Sequence, residues 1–211
     1  RIGKALAASG FPHRRVPGVE ARVAELLAGR RIVARCTGRV EYGPRALGNR
    51  SILYHAGDPT ANEWLNKHLQ RSEFMPFAPA TLASRAEEAY VGVARPAVGA
   101  EFMWVSFDVT PAFPARCPAV VHVDGTARPQ LVTGRGNPGL HRILSEYERR
   151  TGIASLVNTS FNIHEEPIVC TPEDALRAFA TAGLDVLALG DHLVWRPHAG
   201  PPPAWRGPPR F

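Results

Sequence analysis

Arg31–Tyr54, RIVARCTGRVEYGPRALGNRSILY, reads as strand, loop and strand. The apolar run Ile32-Val33-Ala34 predicts a short buried strand ending at Cys36, and Ile52-Leu53-Tyr54 predicts a second. Between them, Gly38 to Ser51 sets Arg45 and Arg50 among Gly43, Pro44 and Gly48. Glycine admits left-handed backbone and lets a ligand approach the main chain, while proline fixes one turn. Arginine keeps its charge and offers a rigid fork of donors to phosphate or carboxylate oxygens. The loop therefore reads as a seat for a small anion. The same residues also suit a surface turn whose arginines pair with Glu41, and their chemistry alone weighs the two evenly.

Working outward, Val19 to Leu27 has helical spacing with Gly29 as its stop. Asp58-Pro59 opens a helix reaching Leu69, and Ser84 with Glu87 marks a capped helix to Tyr90. Strand patterning is expected over Phe102–Val109 and Ala119–Val123, with Phe102, Trp104 and Phe107 in a core. Asp124-Gly125 signals a turn. Asn137-Pro138 starts a helix to about residue 150, and Thr171-Pro172 starts another to Ala182. Ile153–Val157, Asp185–Leu189 and His192–Trp195 complete the strands. The mixture lacks strict βαβα alternation, so an α/β or α+β sheet with flanking helices is expected. Residues 1–18 read as a linker remnant, 19–196 as the domain, and 197–211 as a proline-rich extended tail.

The 211 residues carry a net charge of +6 with 45% hydrophobic content, a globular composition attractive to anions. No apolar run approaches the ~18 residues of a membrane span, and no secretory signal opens the chain. Cys36, Cys117 and Cys170 lack paired spacing, which disfavours disulfides and suggests a cytoplasmic setting. The histidines show no HxxxH or HExxH spacing, so no metal site is assigned. Neither a P-loop nor a Rossmann glycine fingerprint occurs.

A second chemical candidate is Asn158-Thr159-Ser160-Phe161-Asn162, a polar run ending a buried strand. Ligands of open α/β sheets bind at such strand ends, yet a self-satisfied Asx turn fits equally well. Arg128, following the Asp124-Gly125 turn, is weak on its own.

Taken in order, these stretches resemble one family. Gly38–Leu53, Pro76-Phe77-Ala78-Pro79, His122–Arg128, Asn137-Pro138, Asn158–Asn162 and Glu166–Ala175 are similar to the C-terminal domain of the O-carbamoyltransferases of antibiotics and Nod factors. The resemblance covers about residues 20 to 195. It implies a YrdC-like open, twisted, mixed sheet flanked by helices. It further implies binding of ATP, with Mg2+, and of carbamoyl phosphate, and formation of carbamoyl adenylate. A preceding actin-like domain, fused or separate, would then transfer the carbamoyl group to a hydroxyl acceptor. This chain would be a C-terminal portion or a free-standing domain. By resemblance, Arg45 contacts phosphate or carbamoyl oxygens and Arg128 the nucleotide phosphates, as the catalytic pair. Asn158, Ser160 and Asn162 line the adenylate pocket, with Arg50 as supporting cation.

One segment departs from that pattern. Where relatives carry a lysine, an Arg-Glu pair and a further arginine, this chain has Gln70 and Met75, and Lys67 or Arg71 stand as substitutes. Loss of two cations would leave a partner domain without turnover, the alternative reading. An RNA-binding module ranks below both, because aromatic and basic residues do not interleave.

Overall fold

The computed structural model describes residues 1–69, 77–93 and 98–197. In chain order the strands are β1 (His13–Arg15), β2 (Val33–Cys36), β3 (Arg50–His55), β4 (Ala78–Leu82), β5 (Phe107–Asp108), β6 (Thr126–Ala127), β7 (Gln130–Val132), β8 (Ser155–Ser160), β9 (Val186–Leu189) and β10 (His192–Trp195). The α-helices are α1 (Ile2–Ser9), α2 (Val19–Ala28), α3 (Ala61–His68), α4 (Ala86–Ala89), α5 (Val98–Glu101), α6 (Phe113–Arg116), α7 (Pro138–Thr151) and α8 (Pro172–Ala182). Eight strands form one mixed sheet in the order β1-β10-β9-β2-β3-β8-β4-β7, and β5 pairs β6 separately. Among the described residues, only β2–β9 and β4–β7 are parallel pairs.

Period-2 alternation in the central strands decides which helices cover each face. Val33, Leu53, Leu156 and Val186 point to one face, where Val23 and Leu27 of α2 and Leu140, Ile143 and Tyr147 of α7 close over them. Ala34, Cys36, Ile52, Val157 and Leu187 point to the other, packed with Leu65 of α3 and Ala175 and Phe179 of α8. Both faces are covered, so the middle strands read as continuous apolar runs.

The starts of α7 and α8 follow their sequence signals. Thr171 and Asp174 form a reciprocal capping box at α8, and Gly183 ends it at φ 64°. The Asn137 side chain accepts from Leu140 N at the start of α7. α3 begins two residues later than expected, so Asp58, expected as its cap, stands two residues before the N-cap Thr60. Asp58 accepts from Thr60 N at 2.9 Å, and α3 begins at Ala61.

Several expectations are corrected. Residues 1–18 hold α1, packed near α8, and the edge strand β1, paired to β10, where a linker was expected. Of the expected 102–109 strand, Phe107–Asp108 forms a strand and Val109 bridges Tyr90; Phe102 and Trp104 close a turn after α5 through bonds to Gly99 O. Residues 118–120 form a 3-10 turn, since Pro118 lacks the donor a ladder needs. Ser84 caps nothing: residues 83–85 are a 3-10 turn before the single-turn α4. Asn158, Thr159 and Ser160 lie in β8, paired with Leu53, Ile52 and Ser51 of β3, where a turn was expected. The tail from 198 lies outside the described residues. Among those described, no helix is long and apolar enough to cross a membrane.

Candidate functional site

β2 and β8 end, and β3, β4 and β7 begin, at the same edge of the sheet. A cleft opens there, lined by Arg45, Phe77, Met103, Arg128, Asn158 and Ser160 among others. The strand-end location fits the general siting of ligands on open α/β sheets.

The loop Gly38–Ser51 is braced from within. Glu41 Oε1 accepts backbone N–H groups of Leu47 (2.9 Å), Asn49 (2.6 Å) and Arg50 (3.3 Å). Glu41 is therefore occupied by main chain, and the turn in which it pairs with the loop's arginine side chains is not the one formed. Beneath the loop, buried Arg35 donates to Gly48 O at 2.5 Å. Burial pushes the Arg35 guanidinium down to about 10, so it remains charged at neutral pH. Gly48 stands at φ 115°, and a β-carbon there would lie 2.7 Å from the Leu140 side chain. Only glycine lets α7 approach this closely.

Arg45 projects from the braced loop, exposed, and Arg128 faces it from the segment joining β6 to β7, half-buried. Neither makes an ion pair among the described residues. Burial lowers the Arg128 pKa, and the charge of Arg45 lowers it further; Arg128 Nε is buried without a partner. Two like charges converge on a cleft whose described lining contains no carboxylate, which is the electrostatics of an anion site.

Asn158 is 2% exposed. Its Nδ2 donates to Gln130 Oε1 at 2.8 Å and to Ala46 O at 3.2 Å, while Oδ1 has no partner. An unpaired buried acceptor costs about 1–3 kcal/mol. Ser160 lines the cleft too, and its hydroxyl donates to Asn162 Oδ1 at 2.6 Å. Asn162 in turn donates to Ile163 O and Glu166 O and so positions Ser160 from outside the cleft lining.

Besides Asn162, two further sequence candidates stand apart from the lining. Arg50 is buried and spends its terminal nitrogens on the carbonyls of Thr37, Gly38, Asn49 and Cys170. It pins the loop to the start of α8. Lys67 is exposed in the last turn of α3. Arg71, Gln70 and Met75 lie outside the described residues.

Of the other contributors, Gln130 and Met103 carried no motif to single them out, whereas Asn137 lay in the Asn137-Pro138 motif. Gln130 and Asn137 donate to Leu47 O, holding the loop's far side. Met103, a non-glycine residue at φ 59°, sits in the cleft lining and leaves its neighbours Phe102 and Trp104 outside. These two were expected in a core, yet Trp104 is 75% exposed and their rings meet at 5.8 Å. The left-handed turn at Met103 was the missing information, because it reverses the alternation that strand spacing assumed. Among the described residues, no cluster of three metal-ligating side chains occurs.

The likeness to known proteins follows the same outline. Residues 24–196 match the family described as Carbamoyltransferase C-terminus. The chain is 37% identical over 174 residues to an uncharacterized protein of Methanocaldococcus jannaschii, covering 82% of this chain and 28% of that protein. It is 38% identical over 190 residues to the nodulation protein NolNO of Sinorhizobium fredii, covering 89% and 28%. It thus spans less than a third of the length of these relatives. Full-length HypF in the phosphate- and nucleotide-bound form aligns with a TM-score of 0.58 at 18% identity, over 89% of this chain and 23% of that one. A Sua5 variant of P. abyssi aligns at 0.56 and 12% identity, over 80% and 45%. Both contain YrdC-like domains, and the mixed sheet described above shares that fold. Matched over most of its length, the chain belongs to the carbamoyltransferase C-terminus family.

Proposed function

We propose that this domain binds carbamoyl phosphate and ATP in the Arg45–Arg128 cleft and forms carbamoyl adenylate, which a preceding actin-like domain transfers to a hydroxyl acceptor. The observation that carries the reading is the pair of facing arginines without a carboxylate, at the strand ends of a family member. HypF, described in a phosphate- and nucleotide-bound form, supports it by fold.

The atoms balance in two steps. Water releases phosphate from carbamoyl phosphate, leaving carbamate. A carbamate oxygen then attacks the α-phosphorus of ATP, the bond to the β-phosphate bridge breaks, and pyrophosphate leaves with the electron pair. Arg45 and Arg128 hold the anions together against their mutual repulsion and neutralise charge growing on the α-phosphoryl oxygens. Ser160 is held at the cleft by the bond its hydroxyl donates to Asn162 Oδ1. The described cleft lining supplies the cations of Arg45 and Arg128 and contains no carboxylate. Mg2+ would accordingly be held by the phosphates of ATP, with no ligand set among the described residues. The cytoplasm, where carbamoyl phosphate and ATP meet, is the proposed location, and the free cysteines Cys36, Cys117 and Cys170 suit it.

Isothermal calorimetry tests the reading. The chain should bind carbamoyl phosphate and ATP, and Arg128→Ala should weaken both by about 10- to 100-fold while circular dichroism stays native, because each lost charge-assisted contact is worth about 1.5–3 kcal/mol. A well-folded chain that binds neither ligand overturns it.

A further inference from the structure

We infer that Asn158 Oδ1 is an acceptor built for the primary amino group of the carbamoyl substrate, and that it makes the cleft select a carbamoyl over an acyl phosphate. This rests on the carbamoyl-phosphate reading of the cleft.

The orientation of the Asn158 amide is fixed by a chain of groups whose roles are unambiguous. Leu47 O is a backbone carbonyl and can only accept, so the Gln130 atom 2.8 Å from it is the amide nitrogen, Nε2. Gln130 therefore turns its oxygen, Oε1, toward Asn158. The atom of Asn158 that meets it at 2.8 Å must be the donor Nδ2, which also meets the carbonyl of Ala46 at 3.2 Å. A flipped Asn158 would set its oxygen against two acceptors, so the two backbone carbonyls exclude the flip. Oδ1 is left as a buried acceptor with no donor, on a residue 2% exposed that lines the cleft. Buried polar groups normally find partners. Here the missing donor is supplied when the site is filled.

The position of that donor selects its source. Asn158 is bonded to the carbonyl of Ala46, the residue after Arg45, and Ser160 lies two residues on along the same face of β8. Oδ1 thus belongs to the end of the cleft where the anion is held. The amino group of carbamoyl phosphate is two bonds from the oxygen that bridges to phosphorus, whereas the adenine amino group lies at the far end of ATP from the phosphates. Acetyl phosphate has the same charge and nearly the same shape, with a methyl group in place of the amino group. In the filled cleft it leaves Oδ1 unpaired, and a site built to bond an N–H discriminates strongly against the analogue lacking it.

The test is competition calorimetry on the 211-residue chain with carbamoyl phosphate, acetyl phosphate, ATP and ITP, the last carrying oxygen where adenine carries its amino group. Carbamoyl phosphate should bind about tenfold or more tightly than acetyl phosphate to the unsubstituted protein, and Asn158→Ala should bring that ratio close to one while the ATP to ITP ratio holds. Equal binding of the two acyl phosphates by unsubstituted protein overturns the inference and leaves the anion site standing; this arm needs no variant and so is immune to misfolding of Asn158→Ala. A variant that retains the carbamoyl preference overturns it, as does one that changes only the ATP to ITP ratio. Binding of neither phosphate overturns the anion site and the inference together.

Discussion

Glu41 Oε1 accepts three backbone N–H groups of its own loop, from Leu47, Asn49 and Arg50, and Arg50 spends its guanidinium on four carbonyls. A carboxylate and a cation that sequence places beside Arg45 are thereby removed from it, and Arg45 faces the cleft with its charge uncommitted. Glu41→Ala should weaken carbamoyl phosphate binding at least about tenfold with Arg45 still in place, and lower stability by about 3 kcal/mol, because the charged acceptor of three backbone donors is lost. Calorimetry and urea unfolding read the two effects. Unchanged affinity would mean that the loop does not need its brace. The glycines of this loop were legible because their chemistry is local, whereas the four carbonyl partners of Arg50 were not. The part played by Glu41 was not, since a carboxylate beside arginines fits a salt bridge as well as a backbone brace. Gln130 was silent for another reason: its amide matters only through Leu47 and Asn158, contacts made across 83 and 28 residues of sequence.

Among the elements, α2, α7 and α8 followed their caps and spacing, and α8 carries the clearest local signal. Thr171 accepts from Asp174 N at 3.1 Å, and Asp174 accepts from Thr171 N at 2.9 Å. Those backbone and side-chain bonds to Thr171 hold the Asp174 carboxyl below its ordinary value. A depressed carboxylate adds stability above its unfolded pKa, near 4, and that contribution is lost as pH falls through the lower folded value. Thr171→Ala should cost about 1 kcal/mol in urea unfolding at pH 7. Asp174→Asn should be less stable than the unsubstituted protein at pH 7, and the gap should close as pH drops below about 4. A gap that widens on acidification would contradict the capping role. Strand patterning was less faithful where proline and left-handed backbone intervene. Pro118 turned one expected strand into a 3-10 turn, and Met103 at φ 59° folded another back on Gly99 O. Neither tertiary demand leaves a mark in hydrophobic alternation. The helix and strand within residues 1–18 were missed because an eight-residue helix and a three-residue edge strand gain their stability from packing on α8 and pairing with β10.

At the scale of the molecule, an eight-stranded mixed sheet brings loops 38–51 and 121–129, the end of β8 and the start of β4 to one edge. Those are the stretches whose order along the chain resembled the carbamoyltransferases, so the resemblance recorded a spatial cluster that no single motif could reveal. The chain spans less than a third of the relatives it matches, and the hydroxyl acceptor belongs to the proposed preceding domain. Activation of the carbamoyl group is the role proposed for this domain, and pyrophosphate exchange measures it directly. With carbamoyl phosphate present, labelled pyrophosphate should enter ATP on the 211-residue chain, alone or with a transferase domain added, and Arg128→Ala should abolish the incorporation. Folded protein that shows no carbamoyl-phosphate-dependent exchange under either condition would contradict adenylate formation in the Arg45–Arg128 cleft.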